Sequence, residues 1–64
     1  MSNLFNVKYL QRGKKPSQDR WVIFNFFYWI TDLEVAKQVA DQLHDFEHKS
    51  VRVVNPLGEV VYER

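Results

Sequence analysis

The run RWVIFNFFYWI, from Arg20 to Ile30, constrains the fold of this chain more than any other segment. Its aromatic and β-branched residues favour a β-strand over a helical segment of similar length. A strand that buries one face alternates apolar and polar residues, yet Asn25 is the one polar residue among the ten that follow Arg20. Both faces of the predicted strand therefore need to be covered.

The remaining segments predict the element order ββαββ. The alternating segment LFNVKYLQ predicts a first strand, and the loop RGKKPSQD joins it to the second strand, from Trp21 to Ile30. The motif TDLE is a capping box in which Thr31 caps a helix running from Asp32 to about Glu47. The segment SVRVVNPLGEVVYE predicts a hairpin of two strands, with Gly58 at positive φ after a type I turn.

This order predicts an α+β fold with a four-stranded, mostly antiparallel sheet and one helix packed on one of its faces. Residues 1–64 are predicted to form a single small domain, which buries only about 60% of the surface that its unfolded chain exposes. The apolar stripe of the helix, which should face the sheet, consists of Leu33, Ala36, Val39, Ala40, Leu43 and Phe46.

One helix covers one face of such a sheet and leaves the other face open. Because side chains alternate along a strand, the helix-facing residues of the second strand are Val22, Phe24, Phe26, Tyr28 and Ile30. Its open-face residues are Trp21, Ile23, Asn25, Phe27 and Trp29. In the hairpin we expect Val53 to pair with Val61 and Val54 with Val60. The core then gains Val51, Val53 and Val61, and the open face gains Arg52, Val54, Val60 and Tyr62.

The open face is expected to be covered by a partner, because its apolar patch is larger than monomers commonly expose. The predicted interface consists of Trp21, Ile23, Phe27, Trp29, Arg52, Val54, Val60 and Tyr62. A second copy of the chain is the first candidate, since sheet-to-sheet packing in a homodimer would enlarge a small core. Another candidate is a heterologous protein on which the chain docks as a small regulator or inhibitor. The N-terminal residues or the long loop folding over this face are the remaining alternative.

Single-stranded nucleic acid is a candidate of a different class, because aromatic residues on an open sheet stack with bases. Residues 32–47 carry five acids against one lysine, so the rest of the chain is basic although the net charge is only +1. The possible phosphate contacts are Lys8, Arg12, Lys14, Lys15 and Arg20. This charge is low for a nucleic-acid-binding domain, and the sequence contains no nucleic-acid recognition motif.

The residue pattern predicts no catalytic, metal or cofactor site. The chain has no cysteine, which excludes disulfides and thiolate zinc sites. His44 and His48 have the spacing of a metal-binding pair, but histidines in the last helical turn also favour the negative end of the helix dipole. No apolar run is long enough to span a bilayer, and the N-terminus does not resemble a signal peptide. The sequence therefore predicts a cytoplasmic, non-enzymatic interaction module with no membrane partner.

Overall fold

The computed structural model describes residues 4–25 and 29–64. Its strands are β1 (Asn6–Gln11), β2 (Arg20–Ile23), β3 (Val51–Val54) and β4 (Val60–Glu63), and its α-helix is α1 (Leu33–Glu47). The strands form one sheet in the order β2-β1-β3-β4, and each neighbouring pair is antiparallel. The helix contacts β1 and β3. The predicted α+β fold and its ββαββ order are confirmed.

The core lies between α1 and the two central strands. Ala36 and Ala40 are fully buried on the helix, and their small side chains allow its backbone to lie close to the sheet. Val7 and Val53 are their fully buried counterparts on the strands. We call this side of the sheet the helix face and the opposite side the open face. The predicted stripe of α1 is correct except for Phe46, which is 80% exposed.

The second strand is much shorter than predicted, because β2 ends at Ile23. The amide of Phe24 donates to the carbonyl of Val7 at 2.7 Å, and the next side chain, Asn25, is buried. The Asn25 Oδ1 atom accepts from the amide of Val7, and its Nδ2 atom donates to the carbonyl of Phe5, both at 3.0 Å. The Asn25 amide thus takes the place of a backbone peptide beside β1, and its predicted position on the open face is wrong.

The chain returns to β1 at Ile30, whose carbonyl accepts from the amide of Phe5 at 2.8 Å. Ile30 is buried in the core as predicted, and Val22 lies on the helix face because it pairs with Tyr9. Phe24 lies on the helix side as predicted, where it lines a groove with Val39 and Leu43, but it is 40% exposed and meets the Tyr9 ring edge-on. The predicted helix-facing residues Phe26 and Tyr28 lie outside the described residues.

The hairpin has the predicted turn but a different register. Gly58 has a φ of 86°, and its amide donates to the carbonyl of Asn55 at 2.9 Å, as a type I turn followed by a left-handed residue requires. Val54 pairs with Val60 as expected, but Val53 pairs with Tyr62. A β-bulge at Val61 therefore adds one residue to β4, and Tyr62 moves to the helix face.

The helix begins one residue later than predicted. Asp32 is the N-cap, and its side chain accepts from the amide of Glu34 at 2.8 Å. The expected cap, Thr31, is exposed and precedes the capping position. Both residue types are good caps, so the local sequence allowed either start.

Replacing Asp32 with alanine should therefore destabilise the protein by about 0.5 to 2 kcal/mol, because the amide of Glu34 loses its acceptor. Thr31→Ala is the matched control and should leave the urea midpoint nearly unchanged. Equal losses in the two variants, or a larger loss in T31A, would contradict the observed cap.

Candidate binding face

The open face is built from alternate residues of all four strands. One row of paired residues crosses the whole sheet on this face: Ile23, Lys8, Arg52 and Glu63. A second row contains Trp21 opposite Leu10, and a third contains Asn6, Val54 and Val60. Charged and apolar side chains are therefore mixed on this face, with two cations in its central row.

Trp21 and Arg52 are stacked on the open face. The Cζ atom of Arg52 lies 3.7 Å from the centroid of the Trp21 ring, a distance at which a planar guanidinium interacts with an aromatic face. An Nη of Arg52 lies 3.6 Å from a carboxylate oxygen of Glu63, whereas its Nε atom is buried and has no hydrogen-bond partner among the described residues. The Arg52 guanidinium thus has unused donor capacity.

The apolar part of this face is smaller than predicted. Ile23 and Val60 are exposed, but Val54 is only 8% exposed and offers little surface to a partner. Leu10 is half-buried beside Trp21 and was absent from the predicted interface. Because Lys8 and Arg52 separate the apolar groups, the face lacks the continuous patch that the sequence indicated.

Two predicted interface residues lie outside this arrangement, and a third is not among the described residues. Tyr62 lies on the helix face, because the β-bulge at Val61 reverses the orientation of the side chains that follow it. Trp29 is exposed, but it follows the end of β2 and belongs to no strand. Phe27 lies outside the described residues. The residues of the predicted interface that share the open face are Trp21, Ile23, Arg52, Val54 and Val60.

The loop between β1 and β2 carries three exposed cations, Arg12, Lys14 and Lys15. Gln18 ends a short 3₁₀ helix, Pro16–Gln18. Its Oε1 atom accepts from the amides of Lys14 and Lys15, at 3.1 and 3.3 Å. A Cβ atom at Gly13 would lie 2.3 Å from the Gln18 Cβ atom, so this compact loop requires glycine there.

This basic loop adjoins the end of the sheet that carries Trp21, since Gln11 pairs with Arg20 and Leu10 with Trp21. Lys8 lies on the open face itself. Arg20 is exposed but precedes Trp21 by one residue, so its side chain belongs to the other side of the strand. Arg12, Lys14, Lys15 and Arg20 therefore lie at one end of the sheet, whereas Lys8 lies in the central row of the open face.

The acidic residues of α1 lie on the helix side of the sheet, and Asp41 contacts the C-terminal strand. The Tyr62 hydroxyl donates to Asp41 Oδ1 at 2.5 Å, and an Nη of Arg64 donates to the same oxygen at 3.1 Å. The hydrogen bond from Tyr62, followed by that from Arg64, lowers the pKa of Asp41 below its usual value. The same contact with Asp41 raises the pKa of Tyr62. These contacts attach α1 to β4 and account for the register of Tyr62.

The histidines have structural contacts at the end of α1. His44 Nδ1 lies 3.2 Å from the carbonyl oxygen of Lys49, and His48 caps the helix in a left-handed conformation with φ of 55°. Across residues 4–25 and 29–64, no three His, Asp or Glu side chains are grouped to hold a metal ion. In the same residues, no helix is long and apolar enough to cross a membrane.

Two features of the open face escaped sequence reasoning. The stack of Arg52 on Trp21 depends on β1 lying between β2 and β3, a strand order that the sequence pattern did not determine. The end of β2 had a visible signal, since Asn25 interrupts an otherwise apolar run and its buried amide needs partners.

The fold and face together define a small α+β protein with a mixed aromatic and basic sheet surface. In comparisons with known proteins, no protein-family model, curated protein or solved structure matches this chain.

Proposed function

We propose that this protein is a non-enzymatic binding module whose open face binds single-stranded nucleic acid. The observation that carries the proposal is the stack of Arg52 on Trp21, 3.7 Å apart, with Lys8 in the neighbouring position on β1. An aromatic ring and cations on one sheet surface are what a flexible strand needs, since bases stack on rings and phosphates pair with cations.

The stack itself suits a nucleotide. One side of the Trp21 ring is occupied by Arg52, so a base would extend the stack from the other side of the ring or from the guanidinium plane. The Nη atoms of Arg52 can donate to a phosphate or a base edge, because the one nearest to Glu63 lies 3.6 Å from its carboxylate oxygen. Stacking of this kind contributes about 1 to 3 kcal/mol per base.

The charge distribution supports the same orientation. The exposed cations of the loop, Arg12, Lys14 and Lys15, continue the basic character of Lys8 and Arg52 past the end of the sheet. The acids of α1 lie on the opposite side of the sheet, where Asp41 and Asp45 form ion pairs with Arg64. A polyanion is therefore attracted to the open face and repelled from the helix, although the net charge is only +1.

The same charges weigh against the homodimer through this face that the sequence suggested. A two-fold axis parallel to the strands and between β1 and β3 would place Lys8 opposite Arg52 of the second copy. A two-fold axis along the central row would place Lys8 opposite Lys8 of the second copy, and Arg52 opposite its Arg52. Each copy brings two cations and the single carboxylate of Glu63 to that row. Burying the excess charge between two sheets is costly without further partners.

Titration of a fluorescently labelled oligothymidylate tests the proposal. We expect binding at low salt and a linear fall of log K with log salt, because bound cations are displaced from the phosphates. Lys14→Glu combined with Lys15→Glu should weaken binding and reduce the salt slope by about 1 for each lysine that contacts a phosphate.

The control is Lys37→Glu, which reverses a charge on the helix beside Tyr62 and should change binding much less. Absence of binding at tens of micromolar protein and low salt, about the weakest range of non-specific affinity, would contradict the proposal. Binding of an acidic protein in place of the oligonucleotide would support the heterologous-partner alternative.

A further inference from the structure

A cleft lies at the end of the sheet where β1 ends and β3 begins. It has a volume of about 380 Å³ and lies between residues 10–12 and residues 47–50, the segment that joins α1 to β3. The amide of Leu10 donates to the carbonyl of Ser50 at 2.9 Å, and this bond holds the two segments together. We call this space the end cleft. Its volume is at the small end of the range for small-molecule sites.

The end cleft contains cations that the protein does not neutralise. Arg12 and Lys49 line it, and in the described parts of the chain neither forms an ion pair. Arg52 and Arg64, by contrast, each have a carboxylate partner. Glu47 is the one acid among the described lining residues, and it pairs with neither cation of the cleft. Unpaired cations around a cleft attract an anion.

His48 lines the end cleft in an uncommon backbone conformation. Its φ is 55°, and it is the one non-glycine residue with positive φ in residues 4–25 and 29–64. Glycine is the usual residue in this conformation at the end of a helix, because it has no Cβ atom to strain. The imidazole can donate an N–H to an anion in the cleft. A binding role for this side chain accounts for a histidine where glycine would be less strained.

The ammonium group of Lys49 is held in position at the cleft. Its Nζ atom lies 4.9 Å from the centroid of the Tyr9 ring, and its backbone carbonyl oxygen lies 3.2 Å from His44 Nδ1. An ammonium has three donors, so contact with the ring leaves donors for the oxygen atoms of a ligand. A side chain that is already oriented loses less conformational entropy on binding.

We propose that the end cleft binds a phosphomonoester, with Arg12, His48 and Lys49 as donors to its oxygen atoms. Two cations and an imidazole suit the charge of about −1.5 to −2 that such a group carries at pH 7. Leu10 lines the cleft and also lies opposite Trp21 on the open face. The group therefore has two possible sources: the terminal phosphate of a strand on that face, or a free small molecule such as a mononucleotide. The site itself does not depend on the proposed function.

Titration of the ¹⁵N-labelled protein with inorganic phosphate at constant ionic strength tests the site. We expect saturable shifts at the amides of Arg12, His48 and Lys49. The dissociation constant should be on the order of 1 mM, because Glu47 and the C-terminal end of α1 oppose an anion. Arg12→Gln and Lys49→Gln should each raise it at least about fivefold, since each removes a charge-assisted hydrogen bond.

Three further variants separate binding from folding. His48→Gly should melt no lower than the wild type, because glycine adopts positive φ without strain, yet it should bind phosphate at least about threefold more weakly. Glu47→Gln should bind phosphate more tightly, because it removes a like charge from the cleft. Lys14→Gln is the matched control, since Lys14 is an exposed cation of the same loop as Arg12 but does not line the cleft. It should leave the dissociation constant unchanged.

Oligothymidylate with and without a 5′- or 3′-phosphate, together with thymidine 5′-monophosphate and thymidine, distinguishes the two sources. A terminal phosphate that tightens oligonucleotide binding in the wild type but not in K49Q would assign the group to the strand. Tighter binding of the mononucleotide than of thymidine, without that gain, would assign it to a free ligand. Phosphate shifts that do not saturate, that spread equally over the lysines of the chain, or that persist unchanged in R12Q and K49Q would overturn the inference whether or not an oligonucleotide binds.

Discussion

Replacing Asn25 with leucine should strongly destabilise the protein and lower its melting temperature. The substitution nearly preserves volume but leaves the amide of Val7 and the carbonyl of Phe5 without their partners beside β1. Each unsatisfied buried backbone group costs about 1 to 3 kcal/mol, so the variant loses about 2 to 6 kcal/mol. A chain of 64 residues is stable by only about 3 to 10 kcal/mol. Thermal unfolding followed by circular dichroism measures the loss.

Gln38→Leu is the control, because it makes the same change from amide to leucine at an exposed position of α1. Its melting temperature should stay close to that of the wild type. Asn25→Asp adds a second comparison, since it retains an acceptor for the Val7 amide but presents a carboxylate to the Phe5 carbonyl. A melting temperature of N25L within a few degrees of the wild type would show that Asn25 does not replace the strand backbone.

The second large effect is expected in a comparison of Val53 and Val61. The β-bulge places the first in the core and the second at the surface. Val53 is fully buried opposite Tyr62, whereas Val61 is 41% exposed at the bulge. Val53→Asp should therefore prevent folding, because it buries an unpaired carboxylate in the core at a cost on the order of 4 kcal/mol or more. Val61→Asp should lower the unfolding free energy far less, since its carboxylate remains in contact with water.

Urea unfolding of both variants measures this difference. In the register expected from the sequence, which has no extra residue at Val61, Val61 would lie opposite Val53 in the core, and the two substitutions would be equally damaging. Comparable loss of folding in V53D and V61D would therefore contradict the observed register. A stable V61D beside an unfolded V53D is the expected result.

The sequence pattern was sufficient for the fold class because its signals are local. The three-and-four spacing of apolar residues predicted α1, and the turn signal of Pro56 and Gly58 predicted the hairpin. The cap was displaced by one residue because Thr31 and Asp32 are both competent N-caps. These features depend on neighbours in the chain, which a sequence displays directly.

The errors come from contacts between distant segments. The end of β2 depends on Asn25 reaching the backbone of β1. Asn25 was the one local signal of that end, and the strand propensity of the aromatic residues around it favoured a longer strand. The register of β4 depends on Tyr62 reaching Asp41 on the helix, while the alternation in VVYE fits both registers. Phe46 fits the period of the core stripe but is exposed, because α1 lies over β1 and β3 and its β2 side is uncovered.

These differences changed the candidate site as well as the fold. The predicted open face was a continuous aromatic patch suited to another apolar sheet. The observed face mixes Trp21 and Ile23 with the central cations Lys8 and Arg52, because β2 is short and Tyr62 lies on the helix face. An anionic partner with flat, stackable groups suits this surface better than a second copy of the same sheet.

The most direct test of this account is a titration of the ¹⁵N-labelled protein with unlabelled oligothymidylate at low salt, followed by amide and indole chemical shifts. The account predicts progressive shifts for the Trp21 indole and for the amides of β1, β2 and the basic loop around Lys14, with little change along the exposed acidic side of α1. No shifts at millimolar oligonucleotide, or shifts confined to α1, would contradict it.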